Sequence, residues 1–193
     1  MNLPTTAVAA ALTTLLACAP AWADDAAPET RVQVGLTFAS GLTDLRNKME
    51  ANNPGLTTKQ LLPVGLAVAV YRDFGNGMAV GGTLGPAVFG TGDVSFTVIP
   101  LGVDLRYTFS GGGTSKVYGR VGVEKAFVSG DLVTSASAGA VLGIGVEFGA
   151  PRRSGWGLEA SMHSTKVGVS GNAGHRAQEA KPYEGSLALF AVF

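Results

Sequence analysis

From 94 to 109 the chain reads VSFTVIPLGVDLRYTF, and its side chains take turns. Ile99, Leu101, Val103, Leu105, Tyr107 and Phe109 share one parity, and Gly102, Asp104, Arg106 and Thr108 share the other. A strand points successive side chains to opposite faces, so this run builds one apolar wall and one polar wall. The following run, KVYGRVGVEKAFV, keeps the rule. Val117, Gly119, Val121, Val123, Lys125 and Phe127 face one way, and Tyr118, Arg120, Gly122 and Glu124 the other. SGGGTS between them suits a hairpin connection.

Six further runs alternate, at about 31–39, 61–72, 78–89, 136–148, 156–167 and 183–193. Each approaches the ~9–11 residues that a tilted membrane strand needs. None sustains a helical period. The run at 78–89 is the least regular, being rich in Gly and holding Pro86.

Composition narrows the setting. Hydrophobic residues make up 46% and charged ones 15%, with 28 glycines. Fourteen basic residues balance fourteen acidic ones, which argues against nucleic-acid binding. Past the N-terminus no stretch approaches the ~18 apolar residues of a spanning helix. A membrane protein without such helices has one other route, the closed β-barrel. The expected fold is therefore all-β, a single eight-stranded antiparallel up-and-down transmembrane barrel over 31–193.

Residues 1–23 read as a signal peptide, with an apolar centre at 7–17 and the A-x-A site Ala21-Trp22-Ala23. Leu15-Leu16-Ala17-Cys18 offers a rival, a lipoprotein box with Cys18 acylated. Cleavage after Ala23 removes the single Cys and leaves a short polar segment at 24–30.

Connection lengths set the orientation. DFGNG, SGGGTS and GAPRRSG are short, whereas 40–60 and 168–182 are long. Short turns belong on the periplasmic side and long loops outside. Phe109, Phe148, Trp156 and Phe193 then fall at inner strand ends on the apolar face, and Phe38, Phe127 and Tyr183 near outer ends. Two aromatic bands make an interface girdle.

The A-x-A segment, the eight alternating runs, the terminal Phe193 and stretches such as IPLGVDLRYTF, VYGRVGVEKAF and GWGLEAS resemble the small outer-membrane β-barrels. That group includes opacity-type surface proteins and the transmembrane domain of outer membrane protein A. The resemblance implies location in the bacterial outer membrane, contact with its lipid and lipopolysaccharide, and recognition of the Phe193 strand by the barrel-assembly machinery. It implies a structural or surface-interaction role, with loops 40–60 and 168–182 meeting a host or envelope protein. The first loop mixes Asp44, Arg46, Lys48 and Glu50 with Leu45 and Met49, a pattern open to a short helix.

The inward face carries Asp104, Arg106, Arg120, Glu124, Glu147, Glu159 and His163. Eight strands leave an interior only wide enough for side chains, and charges buried there must pair. The expectation is a lumen plugged by ion pairs; a narrow gated pore is the alternative. Lys125 and Lys166 lie outward near outer strand ends, placed to snorkel toward phosphates or merely to solubilise the rim. Arg152 and Arg153 occupy an inner turn.

One segment hints at catalysis. Lipid A deacylases, similar barrels, use a His, a Ser two residues on, and a Glu near the start of the last strand. Here the matching set is His163 with Ser164 or Thr165 and Glu184. Ser164 directly follows His163, so the two point to opposite faces, and Thr165 holds the second position. His163 points inward by this register, whereas the deacylase site faces lipid. No His and Cys pattern suggests a metal site, and no cofactor motif is present.

Overall fold

The computed structural model describes residues 29–55, 64–90, 96–110, 115–130, 132–149, 154–171 and 178–193. The signal peptide, Cys18, most of the 24–30 segment, Arg152, Arg153, His175 and Arg176 lie outside the described residues.

The elements run β1 (Glu29–Ala39), α1 (Leu42–Asn52), β2 (Val64–Asp73), β3 (Met78–Leu84), β4 (Val88–Gly90), β5 (Phe96–Ser110) and β6 (Ser115–Gly130). Then follow β7 (Val133–Ala136), β8 (Ala138–Phe148), β9 (Gly155–His163), β10 (Val167–Val169), β11 (Gln178–Ala180) and β12 (Gly185–Val192). The sheet runs β3-β2-β1-β12-β9-β8-β6-β5, and a β3–β5 ladder closes it. β4 extends the third stave along the outer part of β5, so eight antiparallel staves make a closed barrel. Closure gives each stave of the described barrel a hydrogen-bonded neighbour on both sides, which is what hydrocarbon demands.

Period two decides which face each side chain takes. Leu36, Phe38, Leu66, Leu105, Val121, Val123, Leu142, Ile144, Met162, Leu187 and Leu189 are exposed outward. Asp104, Arg106, Glu124, Glu147, Glu159 and His163 are buried inward. A soluble barrel would reverse this pattern. No helix among the described residues is long and apolar enough to cross a membrane.

Several runs differ from the sequence reading. The run at 78–89 breaks after Leu84, because Pro86 has no N–H for the ladder and Gly85 turns at φ +95°. The run at 136–148 starts its barrel strand at Ala138, with 133–136 diverted into β7. The run at 156–167 leaves the barrel at His163, and Val167–Val169 pairs with β7 and β11 instead.

These diverted pieces build a cap on the outer end. β7, β10 and β11 form a three-stranded sheet, and α1 packs with it. Leu42, Leu45 and Met49, spaced i, i+3 and i+7, bury one helix face against Phe96, Val98, Val133, Val167, Val169, Ala180 and Tyr183. Full burial of side chains this size contributes about 1.5–3 kcal/mol each. Asp44–Lys48 at 2.8 Å and Arg46–Glu50 at 3.0 Å brace the polar face. Lys48 Nζ donates to the Glu179 carbonyl at 2.6 Å, and Gln178 Nε2 donates to Asn52 Oδ1 at 2.8 Å. Gly41 caps the helix start, and any Cβ there would overlap the Lys181 carbonyl oxygen.

Candidate functional site: a layered polar lumen

The polar groups of the lumen stack in three layers. The lowest centres on Glu147 of β8. Its carboxylate accepts from Arg106 Nη1 at 2.6 Å, Gln33 Nε2 at 2.7 Å and Arg31 Nη1 at 3.1 Å. The three donors come from β1 and β5, neither a neighbour of β8 in the sheet, so these bonds cross the interior. Arg106 also lies over the Tyr118 ring, 3.5 Å from its centroid.

The middle layer joins Arg120 to Glu159 at 2.9 Å and to Asp104 at 3.3 Å. Tyr118 donates its hydroxyl to Glu159 Oε2 at 2.8 Å. Arg106 and Arg120 are register partners on β5 and β6, an arrangement of like charges that is unfavourable by itself. Glu147, Asp104 and Glu159 offset it. Glycine makes the room: a Cβ at Gly145 would overlap the Tyr118 ring, and one at Gly143 would crowd Arg120 at 3.1 Å.

The top layer belongs to Glu124. Its Oε1 accepts from Thr165 Oγ1 at 2.6 Å, and its Oε2 accepts from His163 Nδ1 at 3.0 Å. In the neutral tautomer that carries its proton on Nδ1 toward Glu124, His163 Nε2 is the ring acceptor. It lies 3.1 Å from Ser161 Oγ and 3.2 Å from Ser186 Oγ, and the two hydroxyls are 2.7 Å apart. Ser161 and His163 share a face of β9 at spacing two, and Ser186 is the register partner of Ser161 on β12. Thr165 reaches inward because Gly139 leaves space for its backbone.

The set His163, Ser164, Thr165 and Glu184 is not assembled as a site. Ser164 is exposed, and its Oγ is held by the Ala140 backbone at 2.7 Å. Thr165 faces Glu124 rather than His163. The Glu184 side chain is 66% exposed and lies 3.7 Å from Lys181. What sequence reasoning missed is Ser161 and Ser186, which share the inward parity of the named charges.

On the outer wall, Phe109, Phe127, Trp156 and Phe193 are exposed, and Phe148 stacks on Trp156 at 4.4 Å between centroids. Tyr183 corrects the sequence reading. It precedes β12 in a turn, so the alternation of that strand does not govern it. It is fully buried under the cap, with its hydroxyl donating to the Val98 carbonyl at 3.1 Å. Lys125 is exposed, whereas Lys166 pairs with Glu179 of the cap at 2.8 Å. Among the described residues no group of three His, Cys, Asp or Glu is placed to hold a metal ion.

Known structures share this architecture. The outer membrane protein OprG from Pseudomonas aeruginosa superposes with a TM-score of 0.54 at 12% identity, covering 86% of this chain and 94% of that one. Neisserial surface protein A superposes with a TM-score of 0.52 at 12% identity, covering 86% and 97%. No protein-family model and no curated protein sequence matches the chain. At these identities the likeness establishes the eight-stranded barrel fold.

Proposed function

We propose that this chain is a non-conducting barrel of the bacterial outer membrane that works through its outer face, in a structural or surface-interaction role. Residues 1–23 act as a cleavable export signal, and the β12 strand ending at Phe193 is the segment that assembly machinery grips. The outward apolar band meets lipid, and the rim, Lys125 included, meets lipopolysaccharide.

The observation that carries this reading is the division of labour along the barrel axis. Below, Glu147, Arg106, Arg120, Asp104 and Glu159 bond to one another across the lumen. Above, the described parts of loops 40–60 and 168–182 pack on each other through α1, β10 and β11. Paired charges fill a narrow barrel, and a rigid cap gives a partner a preformed surface at low ordering cost. The two long loops thereby act as one platform for a host or envelope protein.

Planar-bilayer recording tests the first half. The purified barrel is expected to give no ion conductance. Steady wild-type conductance that changes when Arg120 or Glu124 is neutralised would establish a pore instead.

A further inference from the structure

The top layer is arranged as a relay. Glu124 holds Nδ1 of His163, Thr165 fixes the other oxygen of Glu124, and Nε2 of His163 faces the Ser161 hydroxyl at 3.1 Å. A carboxylate that orients an imidazole, and an imidazole within reach of a hydroxyl, are the parts needed to activate a serine. All of them are buried, which holds the rotamers in place.

The same groups face empty space. Ser161, His163, Ser186, Arg120, Thr37 and Phe190 line a cavity of about 60 Å³. Ser186, Ala188, Gly35 and Ala67 on its walls are only half-buried. Arg120 supplies the remaining element. Gly143 separates it from Ser161, and a Cβ at that glycine would stand 3.1 Å from Arg120 Nε and 3.3 Å from Ser161 Cβ. Arg120, held by Asp104 and Glu159, thus lines the same cavity as Ser161.

We propose that Glu124, His163 and Ser161 form a hydrolytic site inside the barrel that cleaves short-chain acyl esters. Ser161 Oγ attacks the ester carbonyl carbon and gives its proton to His163 Nε2. The oxyanion forms beside Arg120. The bond to the alcohol oxygen breaks, and that oxygen takes the proton from His163. A water molecule then gives a proton to His163 and attacks the acyl carbon. The carboxylic acid leaves, and the proton returns to Ser161. Glu124 is a positioning residue that fixes the His163 tautomer. The cavity sets the substrate size: it is smaller than the ~150 Å³ cavity that accommodates benzene, so acetyl or propionyl fits and a long chain does not. Lipid A, with its long acyl chains on the far side of the wall, is excluded by the same geometry.

The test uses the folded full-length mature barrel in detergent, with methyl acetate and its hexanoate homologue, acid release being followed by titration at constant pH. Expected results are turnover of the acetate at least tenfold faster than of the hexanoate, and a trapped acetyl group mapped by mass spectrometry to Ser161. Ser161→Ala and His163→Ala should lower turnover on the order of 10²–10⁴-fold. Glu124→Gln should lower kcat with little change in KM, and Glu124→Asp should restore part of it. Ser164→Ala, on the outer face, should change nothing. Folding of each variant is checked by heat-dependent gel mobility; Ser161→Cys, nearly isosteric, replaces Ser161→Ala if that variant fails to fold, and should be alkylated by iodoacetamide faster than a free thiol. Acetylation confined to Lys or to Ser186, slow alkylation of Ser161→Cys, or turnover that persists in a folded Ser161→Ala barrel overturns the proposal.

Discussion

Arg106 reaches Glu147 across 2.6 Å, although β6 stands between their strands in the sheet. The bond is a strut through the lumen rather than a contact along the wall. Arg31 and Gln33 of β1 meet the same carboxylate from the other side, so one residue ties three staves together.

Glu147→Gln should therefore cost more than a surface ion pair. It leaves Arg106 buried without its counter-charge, a loss of about 3–5 kcal/mol for a buried pair, whereas half-buried Arg31 keeps Glu29 at 3.6 Å. Replacing Arg106 and Glu147 together by Met and Leu should recover most of it, because neither charge then stays behind unpaired. Urea unfolding in lipid vesicles reads both variants. A single substitution that costs under about 1 kcal/mol would show that water, not the partner, solvates Arg106.

The glycines opposite large inward groups make a second prediction. Gly145→Ala should push the Tyr118 ring aside, and with it the bond to Glu159 and the seat of Arg106. Overpacking of this kind costs about 1–3 kcal/mol. Gly55, where a Cβ would meet nothing within 4 Å, serves as the spatial contrast, although its φ of +95° adds backbone strain. Comparing midpoints for Gly145→Ala with and without Tyr118→Phe separates the steric effect from the lost hydroxyl.

The barrel was legible because parity is local. Leu105 and Arg106 declare their faces by position in one strand, with no knowledge of any partner, and the inward charges follow from the same rule. What was not legible depends on chain meeting chain. Nothing in the sequence around Tyr183 says that a turn carries it inward to the Val98 carbonyl. Leu45 and Met49 stood out in a charged loop, but the strands that cover them lie far along the chain, at 96–98, 167–169 and 178–180. Ser161 and Ser186 carried the inward parity of their strands, yet serine reads as neutral filler until His163 is seen between them.

The cap should open as a unit separate from the barrel. Leu45→Ala empties a fully buried position in its core, a change worth about 2–5 kcal/mol. Amide exchange should speed up across α1, β10 and β11 while the ladders of β8 and β9 stay protected. Equal acceleration in both regions would mean that cap and barrel unfold together.

The Lys166–Glu179 pair carries the pH dependence of the cap. The Lys166 ammonium, bonded to Glu179 at 2.8 Å, holds that carboxyl below its ordinary value, with Lys48 adding a smaller pull in the same direction. A depressed folded pKa means a contribution that is present above the ordinary Glu value, about 4.3, and is lost as pH falls through the lower folded value. The pair is exposed, so the contribution is small and screened by salt. Carbon-detected NMR titration of the Glu179 carboxyl should give a midpoint below the ordinary value, rising in Lys166→Gln and in high salt. A midpoint that ignores both changes would mean that the pair does not persist in solution.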